Sequence, residues 1–270
     1  MAIISFLNFK GGVTKTSSVV GLGAALAREG YRVLLVDTDP QGNVGVHLGI
    51  NTEEVAGLQE VLGHRSRTVT EIIIERAPGL HIVPAGRGLG LARSELANRK
   101  NRDGLLSRAL REVRKAYDFV LIDTPPDEGL LSINAMYASR YAVFPTLLDS
   151  FSVNGFNPLM AAFAEMREAY DDRHFDILGI LINRYDERLR KQNVANLDAL
   201  RDAFGESSLL FETRVRTDEY VRKAQDEGKT IFELNPTSRA ARDFALLANE
   251  VCGRLQIDIP DALHQDVLAS

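Results

Sequence analysis

Lys10 and Lys15 stand five residues apart in NFKGGVTKTSSVV (residues 8–20), with Gly11 and Gly12 between them and Thr16 directly after. That order suits phosphate chemistry. Glycines let a backbone close around phosphate oxygens, and a helix beginning at such a loop turns free N–H groups and the positive end of its dipole toward an anion. Lys15 can then reach the β and γ phosphates of a nucleotide, and the Thr16 hydroxyl can ligate Mg²⁺. This chemistry needs one lysine and leaves Lys10 without a task. Two carboxylates, Asp37 and Asp39, alternate along the end of the apolar run VLLVD in VLLVDTDPQGN (33–43). They point to opposite sides unless the chain turns there. A third, Asp123, ends FVLID. Gly21 and Gly23 form a second glycine pair, but inside the expected helix, where close packing against a neighbour is the better reading.

The elements that position these groups follow from hydrophobic patterning. Apolar, β-branched segments recur at 2–9, 31–37, 80–85, 118–123, 141–146, 175–183 and 208–213. Several are almost continuously apolar, as strands covered on both faces require. Between them the spacing is helical. One helix is expected from Lys15 to Glu29, closed by Gly30; another opens with Asn157 as N-cap and Pro158 at its first position. After Pro236, the residues Phe244, Leu247, Ala248, Val251 and Leu255 fall on one helical face. The fold class read from this alternation is α/β, a doubly wound, mostly parallel sheet with helices on both faces. Residues 1–256 are expected to form a single domain and 257–270 an irregular tail.

Composition narrows the function classes. The 270 residues are 45% apolar and 26% charged, the balance of a globular protein. No apolar run approaches the roughly 20 residues that span a bilayer, and no signal-peptide pattern precedes the first strand, so a cytoplasmic location is expected. Cys252 is the only cysteine, which excludes an internal disulfide and any cysteine-built zinc or iron–sulfur site within one chain. His47, His64, His81, His174 and His264 show no metal-ligand spacing and read as structural positions. The net charge of −5 argues against wholesale attraction to nucleic acid, though not against local basic patches.

The segment KGGVTKTS (10–17) fits K-G-G-x-x-K-[TS] and resembles the deviant Walker A motif of the ParA/MinD ATPases, a class of P-loop NTPase. VLLVDTDPQGN and YDFVLIDTPP (117–126) look like that family's second and Walker B motifs, and residues 209–251 are similar to the C-terminal block of its ParA branch. Three ordered motifs at the ends of three expected strands make the resemblance specific, and it covers nearly the whole chain. It implies an ATPase using ATP and Mg²⁺ and forming a homodimer when ATP-bound. Lys15 would serve its own nucleotide, while Lys10 crosses the interface to the partner's phosphates. Gly11, Gly12, Val13, Thr14, Thr16 and Ser17 would complete the phosphate site, with Asn183 contacting the adenine. Carried over in the same way, Asp39 would position or activate the attacking water, with Asp37 nearer the loop and metal environment. Thr16, Asp39 and Asp123 would form the metal surroundings, Asp123 through a water. Thr14 stands where most members carry glycine. Either the position has negative φ, or a β-branched residue is strained there and nucleotide affinity is altered.

Arg184, Arg188 and Lys191 are expected on one helical face at i, i+4 and i+7, as are Arg108, Arg111 and Lys115. Arg214, Arg216, Arg222 and Lys223 lie in the block that supplies sequence-independent DNA contacts in ParA relatives. The resemblance therefore implies non-specific binding of double-stranded DNA, association with the nucleoid, and hydrolysis stimulated by a ParB-like or other cargo adaptor. The cargo would be a chromosome, a plasmid or another large assembly. No helix-turn-helix segment precedes the first strand, so operator binding is not expected. A MinD-like membrane role would need a basic amphipathic C-terminal helix, which PDALHQDVLAS does not provide, so no membrane partner is expected. A reductase like the nitrogenase iron protein would need paired cysteines. A nucleotide-gated scaffold or filament former is the non-enzymatic alternative.

Overall fold

The computed structural model describes residues 1–64, 66–148, 161, 163–165, 168, 175–204 and 209–257. The start of the helix expected from Asn157 and the tail beyond residue 257 lie outside the described residues; 161, 163–165 and 168 are helical. Seven strands form one sheet: β1 (Ala2–Phe6), β2 (Val33–Asp37), β3 (Ile74–Ala77), β4 (Leu80–Val83), β5 (Phe119–Asp123), β6 (Tyr141–Leu147) and β7 (Asp176–Asn183), in the order β3-β4-β2-β5-β1-β6-β7. Every neighbouring pair is parallel except β3 with β4.

The continuous apolar runs are explained by two cores. Val33 and Leu35 of β2 and Phe119 and Leu121 of β5 join one buried cluster; their alternates Leu34, Val36, Val120 and Ile122 join another on the opposite face. Helix α1 (Lys15–Arg28) and the C-terminal helix cover the first face. Among the described residues, helices α2 (Asn43–His47), α3 (Leu89–Ala97), α4 (Leu105–Ala109), α5 (Leu130–Ala138), α6 (Arg190–Phe204), α7 (Glu219–Asp226), α8 (Ile231–Leu234) and α9 (Arg239–Leu255) follow in chain order, α9 being the C-terminal one. The glycine pair in α1 does what packing demands. A Cβ on Gly21 would collide with the Phe244 ring of α9, and one on Gly23 would lie 2.6 Å from Leu35 Cδ2.

Two elements differ from expectation. Strand β3 is an antiparallel edge strand whose charged residues, Glu75 and Arg76, and following Pro78 hide it from a strand-like pattern. Residues 208–213, expected as a strand, contribute one parallel bridge, Ile180 to Leu210. The backbone N–H groups of Glu212 and Thr213 donate instead to the Glu250 carboxylate of α9, both at 2.9 Å. A side chain has taken the donors that a ladder would use.

Register brings the chemistry together. Phe6 of β1 and Asp37 of β2 both lie level with Asp123 of β5. The loop after β1, the turn after β2 and the end of β5 therefore meet at one carboxyl edge, where the order of connections reverses between β5, β1 and β6.

Candidate nucleotide site

Asn8 organises the loop after β1. It is buried at 6% exposure, and its Nδ2 donates to Pro145 O of β6 at 2.8 Å, pinning the loop to the sheet. Its Oδ1 accepts the Lys10 N–H at 2.8 Å, and its carbonyl accepts Lys15 Nζ at 2.8 Å. Lys15 is thus held straight across the loop. Burial lowers its pKa, while Asp123 and Asp39 pull it back up. Gly11, Gly12, Lys15, Thr16, Asp39 and His47 are among the residues lining a cavity of ≈ 380 Å³ at the N-terminus of α1. Val13 and Ser17 line it too, whereas Lys10 of the same loop does not.

The carboxylates have separate duties. Thr16 Oγ1 donates to Asp123 Oδ2 at 2.7 Å, and Asp123 is 1% exposed. Its other oxygen is buried with no hydrogen-bond partner, and burial pushes the carboxyl up to about 7. An orphaned carboxylate oxygen beside a hydroxyl is a donor set that fits Mg²⁺, a hard cation that prefers oxygen and keeps several waters. Asp39 lines the cavity; burial raises its carboxyl, partly offset by the Gln41 N–H it accepts at 2.9 Å and by Lys15. Asp37, expected nearer the metal, is spent on backbone. Its two oxygens accept Asp39 N–H at 3.1 Å and Val44 N–H at 3.0 Å, fixing the turn and the start of α2.

A second cavity, of ≈ 580 Å³, adjoins the first, with Asn183, Arg184, Val215, Arg216, Val221 and Phe244 in its wall. Asn183 is 2% exposed and donates through Nδ2 to Val13 O at 3.2 Å and Ser18 Oγ at 2.9 Å. It braces the loop as well as facing the cavity. Thr14 caps α1 at φ 62°, which rules out the negative-φ alternative. A β-branched residue there carries strain of roughly 1–2 kcal/mol.

Three positions escaped the sequence reading. Asn8 carried no motif. His47, read as structural, is 4% exposed yet lines the phosphate-sized cavity, and burial pushes its imidazole down to about 4. Gln225 of α7 lines both cavities. The only sequence signal for any of these was proximity to the motifs, as with His47 eight residues beyond Asp39.

The basic residues do not form the expected faces. α6 begins at Arg190, so Arg184 (φ 50°) and Arg188 precede it and only Lys191 is helical. Arg188 is turned back onto Asp186, 2.6 Å away, by a local loop bond. Arg108 lies on α4, but Arg111 falls in a 3₁₀ turn and Lys115 in the turn after it. Arg216 is clamped by Asp243, with Nη2 to Oδ1 at 2.7 Å and Nε to Oδ2 at 3.0 Å, and its side chain is 26% exposed. Arg222 and Lys223 stand on α7 in i,i+4 pairs with Asp226 and Glu219.

The AAA domain family matches residues 1–177. The chromosome-partitioning ATPase Soj of Thermus thermophilus is 37% identical over 255 residues, covering 94% of this chain and 96% of that protein. The chromosome partitioning protein ParA of Caulobacter vibrioides is 32% identical over 257 residues, covering 94% and 95%. Among solved structures, the cobyrinic acid a,c-diamide synthase of Mycobacterium smegmatis with bound ADP and magnesium matches with a TM-score of 0.80 at 25% identity, over 95% of this chain and 96% of that one. The protein is an ATPase whose cofactors are ATP and Mg²⁺. With its loop, its strand-end carboxylates and relatives of this identity and coverage, the chain belongs to the ParA family of partition ATPases.

Proposed function

We propose that the protein is an ATP-dependent dimer that holds double-stranded DNA without sequence preference and positions DNA or another large cargo, releasing it when a ParB-like adaptor stimulates hydrolysis. The observation that carries this reading is the division of the two loop lysines. Lys15 is 8% exposed and lines the phosphate-sized cavity, whereas Lys10, anchored through its N–H to Asn8, lies outside that lining. A second lysine on the loop but off its own cavity suits delivery to a neighbouring subunit's phosphates, and makes hydrolysis depend on dimerisation.

The remaining roles follow from charge. Loop N–H groups and Lys15 hold the phosphates and meet the charge that develops during phosphoryl transfer. Thr16 and Asp123 would hold Mg²⁺, which would supply positive charge against the phosphate oxygens. Asp39, at the cavity wall, orients the attacking water. Asn183 faces the base. For DNA, Arg188, Lys191, Arg222 and Lys223 supply exposed cations, and binding of this kind weakens steeply with salt. Asp39→Ala with Mg-ATP is expected to stop hydrolysis and give a complex that retains unrelated DNA sequences equally. Normal turnover by that variant, or retention confined to one sequence, would contradict the reading.

A further inference from the structure

Thr14, Ser17 and Gln225 are the residues that line both cavities. The smaller cavity holds the phosphate loop and Lys15; the larger has the apolar wall of Val215, Val221 and Phe244 suited to a flat base. A nucleotide with its phosphates in one and its base in the other must thread its sugar past these three residues. Their polar groups differ. Thr14 Oγ1 is committed to Val13 O at 2.7 Å. Ser17 offers one short hydroxyl from α1. Gln225 offers an exposed amide whose side chain makes no hydrogen bond among the described residues, and an amide carries both a donor and an acceptor for a vicinal diol.

Gln225 is also held in place. Asp218 caps α7 by accepting Tyr220 N–H at 3.1 Å and docks it on α9 by accepting Ala240 N–H at 3.0 Å. At the other end, Gly228 N–H returns to Gln225 O at 3.1 Å, and Arg76 of the edge strand donates to Gly228 O at 2.7 Å and to Leu48 O at 3.0 Å. One guanidinium therefore ties the end of α7 to the end of α2, whose His47 lines the phosphate-sized cavity. The backbone that carries the side chain is fixed on both sides of the junction, so contact with a sugar has only the side-chain rotamers left to order.

We propose that the Gln225 amide recognises the ribose hydroxyls of the bound nucleotide and so selects ATP over 2′-deoxy-ATP. The proposal rests on the nucleotide-site reading above. Calorimetric titration of Mg-ATP and Mg-2′-deoxy-ATP into the full chain and into Gln225→Ala and Ser17→Ala tests it. The unsubstituted protein is expected to prefer ATP by roughly 3- to 10-fold, the size of a lost neutral hydrogen bond. In Gln225→Ala the ratio falls to about 1, with the loss borne by ATP; in Ser17→Ala the ratio persists. Equal affinities in the unsubstituted protein, or a preference that survives Gln225→Ala or disappears in Ser17→Ala, would overturn the assignment. Binding of neither nucleotide would overturn the site reading itself, which separates the two failures.

Discussion

Asp37 and Asp123 end neighbouring parallel strands directly opposite each other, yet one carboxylate is consumed by backbone N–H groups and the other keeps an unpartnered oxygen. Burial raises both pKa values, Asp123 to about 7; the Asp123 charge raises Asp37 further, and the Asp39 charge raises Asp123. A carboxyl raised in the folded state binds more protons there than in the unfolded chain, so its favourable contribution is complete below about pH 4 and is lost as pH rises through about 7. Without nucleotide and Mg²⁺, the urea midpoint is expected to fall between about pH 4 and pH 7 and to level off above it. Asp123→Asn should flatten that fall and raise the pH 8 midpoint while abolishing Mg²⁺-dependent hydrolysis. An equally steep fall in the variant would remove Asp123 as the source.

Thr14 at φ 62° gives a second expectation. Thr14→Gly relieves a left-handed threonine and should stabilise the protein by about 1 kcal/mol, a rise of roughly 2 °C in Tm for a chain of this size. If the loop keeps its conformation when loaded, the gain is equal with and without ATP, so the strain lowers stability and, unlike the sequence expectation, leaves affinity little changed. A variant that melts lower than the parent would show that the threonine is not strained.

Arg216 and Lys191 should separate fold from DNA contact. Arg216→Ala strips a partner from Asp243, whose side chain is 5% exposed. Because the Arg216 side chain is 26% exposed, the cost is expected at about 2 kcal/mol rather than the 3–5 of a fully buried pair. Lys191→Ala should leave the melting curve unchanged and weaken ATP-dependent DNA retention alike for all sequences, lowering the salt slope by about 1. Retention insensitive to Lys191 would move the DNA surface elsewhere.

Much of this arrangement was legible in the sequence because it rests on local rules. Continuous apolar runs announced strands covered on both faces, Gly30 announced the end of α1, and Gly21 announced a close approach that the Phe244 ring makes. What stayed hidden depends on partners distant in the chain. Glu250 takes the N–H groups of residues 212 and 213, some 37 positions away, and so unmakes a strand that its own pattern favours. Asp243, 27 positions away, likewise fixes the Arg216 guanidinium. Asn8, His47 and Gln225 join the site only because strand order and the Arg76 staple bring their segments together. Arg184 and Arg188 matched helical spacing, but the chain leaves β7 through a left-handed residue and the helix begins too late to include them.

Solution mass reads directly whether Lys10 acts across a dimer interface, as proposed. Light scattering with Mg-ATP should find Asp39→Ala at twice 29.8 kDa, and the same variant carrying Lys10→Ala at 29.8 kDa while still binding ATP. A double variant that pairs as fully as Asp39→Ala, or a Lys10→Ala single variant that hydrolyses ATP at the parent's rate, would contradict the account.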